Sequence, residues 1–320
     1  MTADDLVIVL VAGLTATACG LLGPFLVLRR MALLSDAVSH AVLPGIVAVW
    51  LIGETRAPVP VVAGAAAFAV LCVLGIEAIR ATGLVASDAA IALVFPALFS
   101  LGVLGITRYA SDIHLDLDST IYGEIAFTPF DTVTVGGLEL ARSGVVLAAV
   151  VLLNVVVVAA LWKELRATTF DPEFGRVTGM RPRLLSRLLL IAVAVTAVSA
   201  FEAVGAILVV TMLIVPAATA ALVTRRMGAM VAVTLAVGWV GAILGHVAAL
   251  TFDTSIAGAM GLVCSACFVL ALAGRRFLGA EARSLRSADG PDDPDGGVLT
   301  QPDTTPDPAG ARGRTGPLAE

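Results

Sequence analysis

The sequence predicts an all-α polytopic membrane protein, and three observations carry that prediction. Apolar residues make up 58% of the 320 and charged residues only 14%, with a mean hydropathy of +0.98. A soluble domain of this length has no use for so much apolar surface. Runs of roughly 20 apolar residues recur along the chain, each long enough to cross a hydrocarbon core about 30 Å thick. The runs are continuous, whereas barrel strands are short and alternate, so helices are expected.

Nine apolar runs can be drawn: 6–28, 32–52, 59–79, 88–107, 144–162, 187–201, 205–223, 229–251 and 256–274. The first follows two acids and is too long for the apolar core of a cleaved signal, so it reads as a span. The sixth is short and joins the seventh through Phe201-Glu202-Ala203-Val204-Gly205, which leaves eight or nine crossings open. The basic residues favour nine. With the N-terminus outside, all but Arg56, Arg108 and Arg142 of the 20 Lys and Arg residues fall on the inner side, as the positive-inside rule requires. The tail is then cytosolic, and the turn at Glu202 must reach the outer surface.

The longest outer loop, 108–143, carries Asp112, His114, Asp116 and Asp118, an acidic entrance that concentrates cations. The inner loop 163–186 contains FDPEFGRVTGMRPR. Residues 1–279 are expected to form the transmembrane domain. Residues 280–320 are rich in Pro, Gly, Asp and Thr, cannot bury enough surface to fold, and are expected to be a disordered cytosolic tail. The four cysteines, Cys19, Cys72, Cys264 and Cys267, lie in apolar spans and read as small membrane residues. Partners implied by this surface are membrane lipid; no nucleic-acid partner is expected.

The most informative stretch is RRMALLSDAVSHAVLPG, residues 29–45. Counting from Arg29 and Arg30 along a helix, Asp36 lies about 9 Å and His40 about 15 Å deeper, close to the midplane of a core about 30 Å thick. Residues four apart share a helix face, so carboxylate and imidazole point the same way, with Ser39 beside them. Pro44 has no N–H and deprives the His40 carbonyl of its helical partner, and Gly45 loosens the turn, so a helix break is expected at Pro44-Gly45. Carboxylate plus neutral imidazole suits zinc, manganese or iron. A proton relay and interhelical hydrogen bonding are the competing uses of such a pair.

Four blocks then carry a resemblance. GLLGPFLVLRRMALLSDAVSHAVLPGIVAV, YGEIAFTPFD from Tyr122, FDPEFGRVTG from Phe170 and VGAILVVTMLIVPAATAALVTRRM from Val204 occur in the order seen in the bacterial zinc/manganese/iron-uptake ABC permeases, which the chain resembles over roughly residues 15–275. The resemblance implies an ABC-importer permease architecture, a homodimer, separate ABC ATPase subunits and an extracytoplasmic metal-binding protein. It implies a transported divalent ion and no permanently bound cofactor. Asp36 and His40 match the D-x-x-S-H positions proposed as metal ligands. Pro216, Ala217, Ala218, Thr219, Arg225 and Arg226 fall where such a permease meets its ATPase. The chain departs from the family near the end of the eighth span, which reads GHVAALTFDTSIAG with His246 and no proline, and in its long polar tail.

The residues agree with these implications. No G-x-x-x-x-G-K-[ST] loop occurs, and the one lysine is Lys163, so any ATP hydrolysis belongs to a partner and the chain is not itself an enzyme. Pro216 frees the Met212 carbonyl and bends the chain ahead of Arg225 and Arg226. Glu202 and His246 are further candidate ligands, each with an ordinary alternative: a solvated turn residue and a hydrogen-bonded interfacial histidine. Asp88 reads as a helix cap and Asn154 as interhelical glue. An ion-coupled secondary carrier using Asp36 and His40 as a proton site is the rival function.

Overall fold

The structure is a computed structural model that describes residues 2–53, 58–109, 125–135 and 137–288. Among the described residues, nine helices are long and apolar enough to cross a membrane. They are α1 (Ala3–Leu28), α2 (Leu34–Gly53), α3 (Pro58–Ala81), α4 (Ser87–Tyr109), α5 (Arg142–Ala160), α8 (Pro182–Val204), α9 (Ala206–Val223), α10 (Met227–Phe252) and α11 (Ile256–Ala288). Two short helices, α6 (Trp162–Phe170) and α7 (Pro172–Val177), fill the loop between α5 and α8. The short sixth run is thus a full helix of 23 residues, and Gly205 at φ 82° makes the reversal into α9.

Helix α1 is the axis of the bundle. Its residues are buried almost without interruption from Val11 to Leu26, and α5, α8, α9 and α10 all pack on it. Thr2 starts it with a reciprocal cap: its hydroxyl accepts from the Asp5 N–H at 3.3 Å, and Asp5 accepts from the Thr2 N–H at 2.6 Å. One polar link between helices is Asn154, fully buried on α5. Its amide donates to the Ala18 carbonyl on α1 at 3.1 Å and to Thr196 on α8 at 2.8 Å. Asn154 therefore does serve as interhelical glue, stabilising where hydrocarbon offers no partner.

The outward faces are apolar. Leu104, Leu152 and Leu262 are 64%, 65% and 72% exposed, and no water-soluble surface would carry such a load. One departure from an all-helical chain is a two-stranded antiparallel hairpin before α5, β1 (Thr132–Val135) with β2 (Leu138–Ala141), in which Thr132 faces Ala141. Ahead of it a single 3-10 turn, Ile125–Phe127, buries Ile125 against the start of the bundle.

Three expectations need correction. First, α2 runs unbroken through Pro44 and Gly45. The two residues serve close packing instead: a Cβ on Gly45 would lie 2.5 Å from the Gly64 carbonyl of α3, and one on Gly102 of α4 would lie 3.0 Å from the Pro44 Cα. Second, the helical rise to Asp36 and His40 does not start at Arg29 and Arg30. Arg30 takes φ 57° in a turn, and α2 begins only at Leu34. Third, residues 280–288 continue α11 rather than starting a coil. The rest of the expected tail, and Asp112, His114, Asp116 and Asp118, lie outside the described residues.

Gly45→Ala drives a methyl into the α3 backbone and should cost about 1–3 kcal/mol. Gly228→Ala, at a site with nothing within 4 Å, should be neutral or slightly stabilising. Thermal unfolding of the two variants in detergent micelles checks the difference.

Candidate functional site

Asp36 sits in the first turn of α2 and His40 one turn later. Counted from Leu34, Asp36 lies about 3 Å and His40 about 9 Å into the helix, so Asp36 is near the arginine-rich end and His40 lies between that end and the middle. Neither is buried. The side chains are 55% and 44% exposed, and Asp36 Oδ1 lies 3.8 Å from His40 Nε2. That distance is too long for a hydrogen bond, which leaves both atoms free to bind something else. Ser39 is already engaged, donating to the Asp36 carbonyl at 2.7 Å.

The imidazole is held from α4. Phe95 stacks on it with centroids 5.5 Å apart and planes at 24°, and Phe99 meets it edge-on at 5.6 Å and 80°. These two aromatics were not picked out from the sequence. The signal available was their spacing: four apart on the helix that the Pro44–Gly102 contact presses against α2. Two aromatic faces restrict the ring's rotation and leave its nitrogen edge toward Asp36. Phe99 is itself 36% exposed, so the site opens at the surface of the single chain.

The weaker ligands are elsewhere. Glu202 lies in the last turn of α8, 3.9 Å from Arg142, which also reaches Asp131 at 3.9 Å. His246 on α10 is fully buried and pairs through Nε2 with Asp5 on α1 at 3.2 Å, while its Nδ1 has no partner. Both belong to the end of the bundle where α1 starts and α8 finishes. Asp36 and His40 belong to the opposite end, where α1 finishes and α2 starts. The structure brings Asp36 together with His40 and brings neither to Glu202 or His246. Among the described residues no group of three or more His, Cys, Asp and Glu side chains forms a ready-made metal cage.

The expected ATPase-docking segment also fails in part. Pro216, Ala217 and Thr219 are buried inside α9, and Ala218 is half-buried, so they form interior packing rather than a docking surface. Hydropathy marks a span but not which of its ends stays exposed. Arg225 and Arg226 are exposed. They border a hollow of about 580 Å³ with Lys163, Arg166, Phe170 and Phe174 of the α6–α7 region. Phe170, Phe174 and Val177 are 58%, 57% and 87% exposed there. The FDPEFGRVTG block carried them, and no contact role was drawn from it. Asp171 positions the second helix by capping the Glu173 and Phe174 N–H groups at 3.0 and 2.9 Å.

With this geometry in place, comparison with known proteins decides the class. The ABC 3 transport family matches residues 6–275. The chain belongs to that family. It is 38% identical over 275 residues to the manganese transport system membrane protein MntD of Bacillus subtilis, covering 86% of this chain and 93% of that one. It is 39% identical over 263 residues to the zinc transport system membrane protein TroD of Treponema pallidum, covering 82% and 72%. Among solved structures, PsaBC from Streptococcus pneumoniae in complex with Fab superposes with a TM-score of 0.69 at 25% identity, over 88% of this chain and 96% of that one. Members of the ABC 3 transport family are multi-pass membrane permease subunits and not enzymes themselves. Membership in an ABC family displaces the ion-coupled secondary carrier.

His246→Ala removes the buried partner of Asp5 and should lower the melting temperature of the purified chain without changing any affinity it has for a divalent metal. Thermal unfolding and metal titration of the same sample separate the two effects.

Proposed function

We propose that the chain is the permease of an ATP-driven importer of a divalent metal ion, zinc, manganese or iron, received from an extracytoplasmic binding protein. The observation that supports this reading most strongly is the Asp36–His40 pair: two complementary ligands on one exposed edge of a membrane helix, with the imidazole clamped by aromatic rings. A metal with ligand bonds near 2.1 Å holds two tetrahedral donors roughly 3.4 Å apart, so the 3.8 Å gap needs only a slight closure. Two ligands bind an ion weakly enough to release it. The relatives' manganese and zinc transport systems fit this donor set, which accepts either metal.

The exposure of the pair has a second consequence. Ionisable side chains at membrane depth face a protein interior or a wet cavity and almost never lipid. A second copy of the chain therefore faces this edge of α2 and α4, and the metal path runs between the two. The bias of basic residues puts the N-terminus outside and the C-terminal tail in the cytosol. In that orientation Asp36 and His40 lie toward the cytosolic side of the path. The ATPase docks on α6 and α7, where exposed apolar side chains stand beside Lys163, Arg225 and Arg226. ATP-driven motion reaches the path through α6, which packs on α1 and α8.

His40→Ala should abolish metal uptake in cells while membrane insertion and ATPase association persist; normal uptake would defeat the assignment. Phe170→Ser with Phe174→Ser should instead abolish co-purification of the ATPase while metal binding to the permease is retained.

A further inference from the structure

A second polar feature at the arginine-rich end is not explained by the transport reading. A cleft of about 530 Å³ opens where α1, α3 and α6 end and α4, α7 and α8 begin. Arg29, Arg80, Arg176 and Arg183 line it, against a single carboxylate, Glu77. That carboxylate is spent: Arg80 NH1 pairs with Glu77 Oε2 at 3.1 Å and Arg80 Nε donates to Ser87 at 3.0 Å. No carboxylate among the described residues lies within ion-pair distance of Arg29, Arg176 or Arg183.

Arg29 is the telling member. It is half-buried, and its guanidinium donates only to hydroxyls, Nε to Thr169 at 3.1 Å and NH2 to Thr168 at 3.1 Å. Five N–H donors are fixed in that fork, so NH1 and one further proton remain for a ligand. Its proton affinity is lowered by burial and by the nearby charge of Arg80, yet a guanidinium stays charged at any physiological pH. Unpaired guanidinium groups converging on one hollow repel each other unless an anion enters, and their planar forks match phosphate oxygens.

We propose that this cleft binds a phosphate group, carried by an anionic phospholipid headgroup or present as a free phosphate. Basic hollows between membrane helices at the cytosolic face suit such headgroups. The threonines that hold Arg29 close α6, so an occupant would bear on the same short helices that carry Phe170 and Phe174.

The test uses the full chain in phosphatidylcholine nanodiscs, titrated with short-chain phosphatidylglycerol and, separately, with inorganic phosphate. Saturable binding of either is expected. Phosphatidylglycerol binding that phosphate does not displace identifies the lipid source, and displacement by phosphate identifies a general phosphate site. Arg176→Gln with Arg183→Gln, both exposed positions, should weaken binding about tenfold, whereas Arg275→Gln with Arg276→Gln, an equal charge loss at exposed positions of α11 outside the cleft, should change it no more than about twofold. If the first double variant fails to insert, Arg183→Gln alone carries the comparison. No saturable binding of either probe, or equal weakening by both pairs, overturns the proposal.

Discussion

Helix α2 is held by contact between backbones. Gly45 lets α2 settle against Gly64 of α3, and Gly102 lets α4 settle against Pro44. Without a hydrophobic driving force between helices in lipid, such close approach is a main source of association. Everything about the candidate site depends on this seating. It fixes which edge of α2 turns outward, and it brings Phe95 and Phe99 over His40 from the neighbouring helix. The proline and the glycine that read as a break, Pro44 and Gly45, are contact surfaces of a continuous helix.

The polar residues within the bundle then sort by how they are satisfied. Asn154 is buried and bonded to two other helices, and His246 is buried and bonded to Asp5. Both spend their polarity inside one chain and lock α1 to its neighbours. Asp36 and His40 behave differently. They are half exposed and too far apart to bond each other. A polar pair left open at membrane depth suits the proposed cargo ion and a second copy facing it.

Much of the fold was legible because spanning a bilayer demands long apolar runs, and all nine drawn from the sequence correspond to helices. The Asp36–His40 pairing was legible because helical period alone sets which residues share a face. What failed involved information that hydropathy does not hold. The helical rise to His40 was counted from Arg29 because nothing in RRMALL announces that Arg30 adopts positive φ and that α2 starts afresh at Leu34. Pro216 to Thr219 were assigned to a surface because a motif says where a segment falls in the chain and not which side of it is covered. Phe170 and Phe174 were quoted within a motif yet left without a role, since exposure of an aromatic is a tertiary property.

The central claim is that the His40 imidazole coordinates the ion in transit. Pulsed electron paramagnetic resonance on the purified chain loaded with manganese(II) tests it most directly. A modulation from one directly bound imidazole nitrogen, lost in His40→Gln and retained in His246→Gln, is the result expected. A manganese signal without bound nitrogen, or one unchanged by His40→Gln, would contradict it.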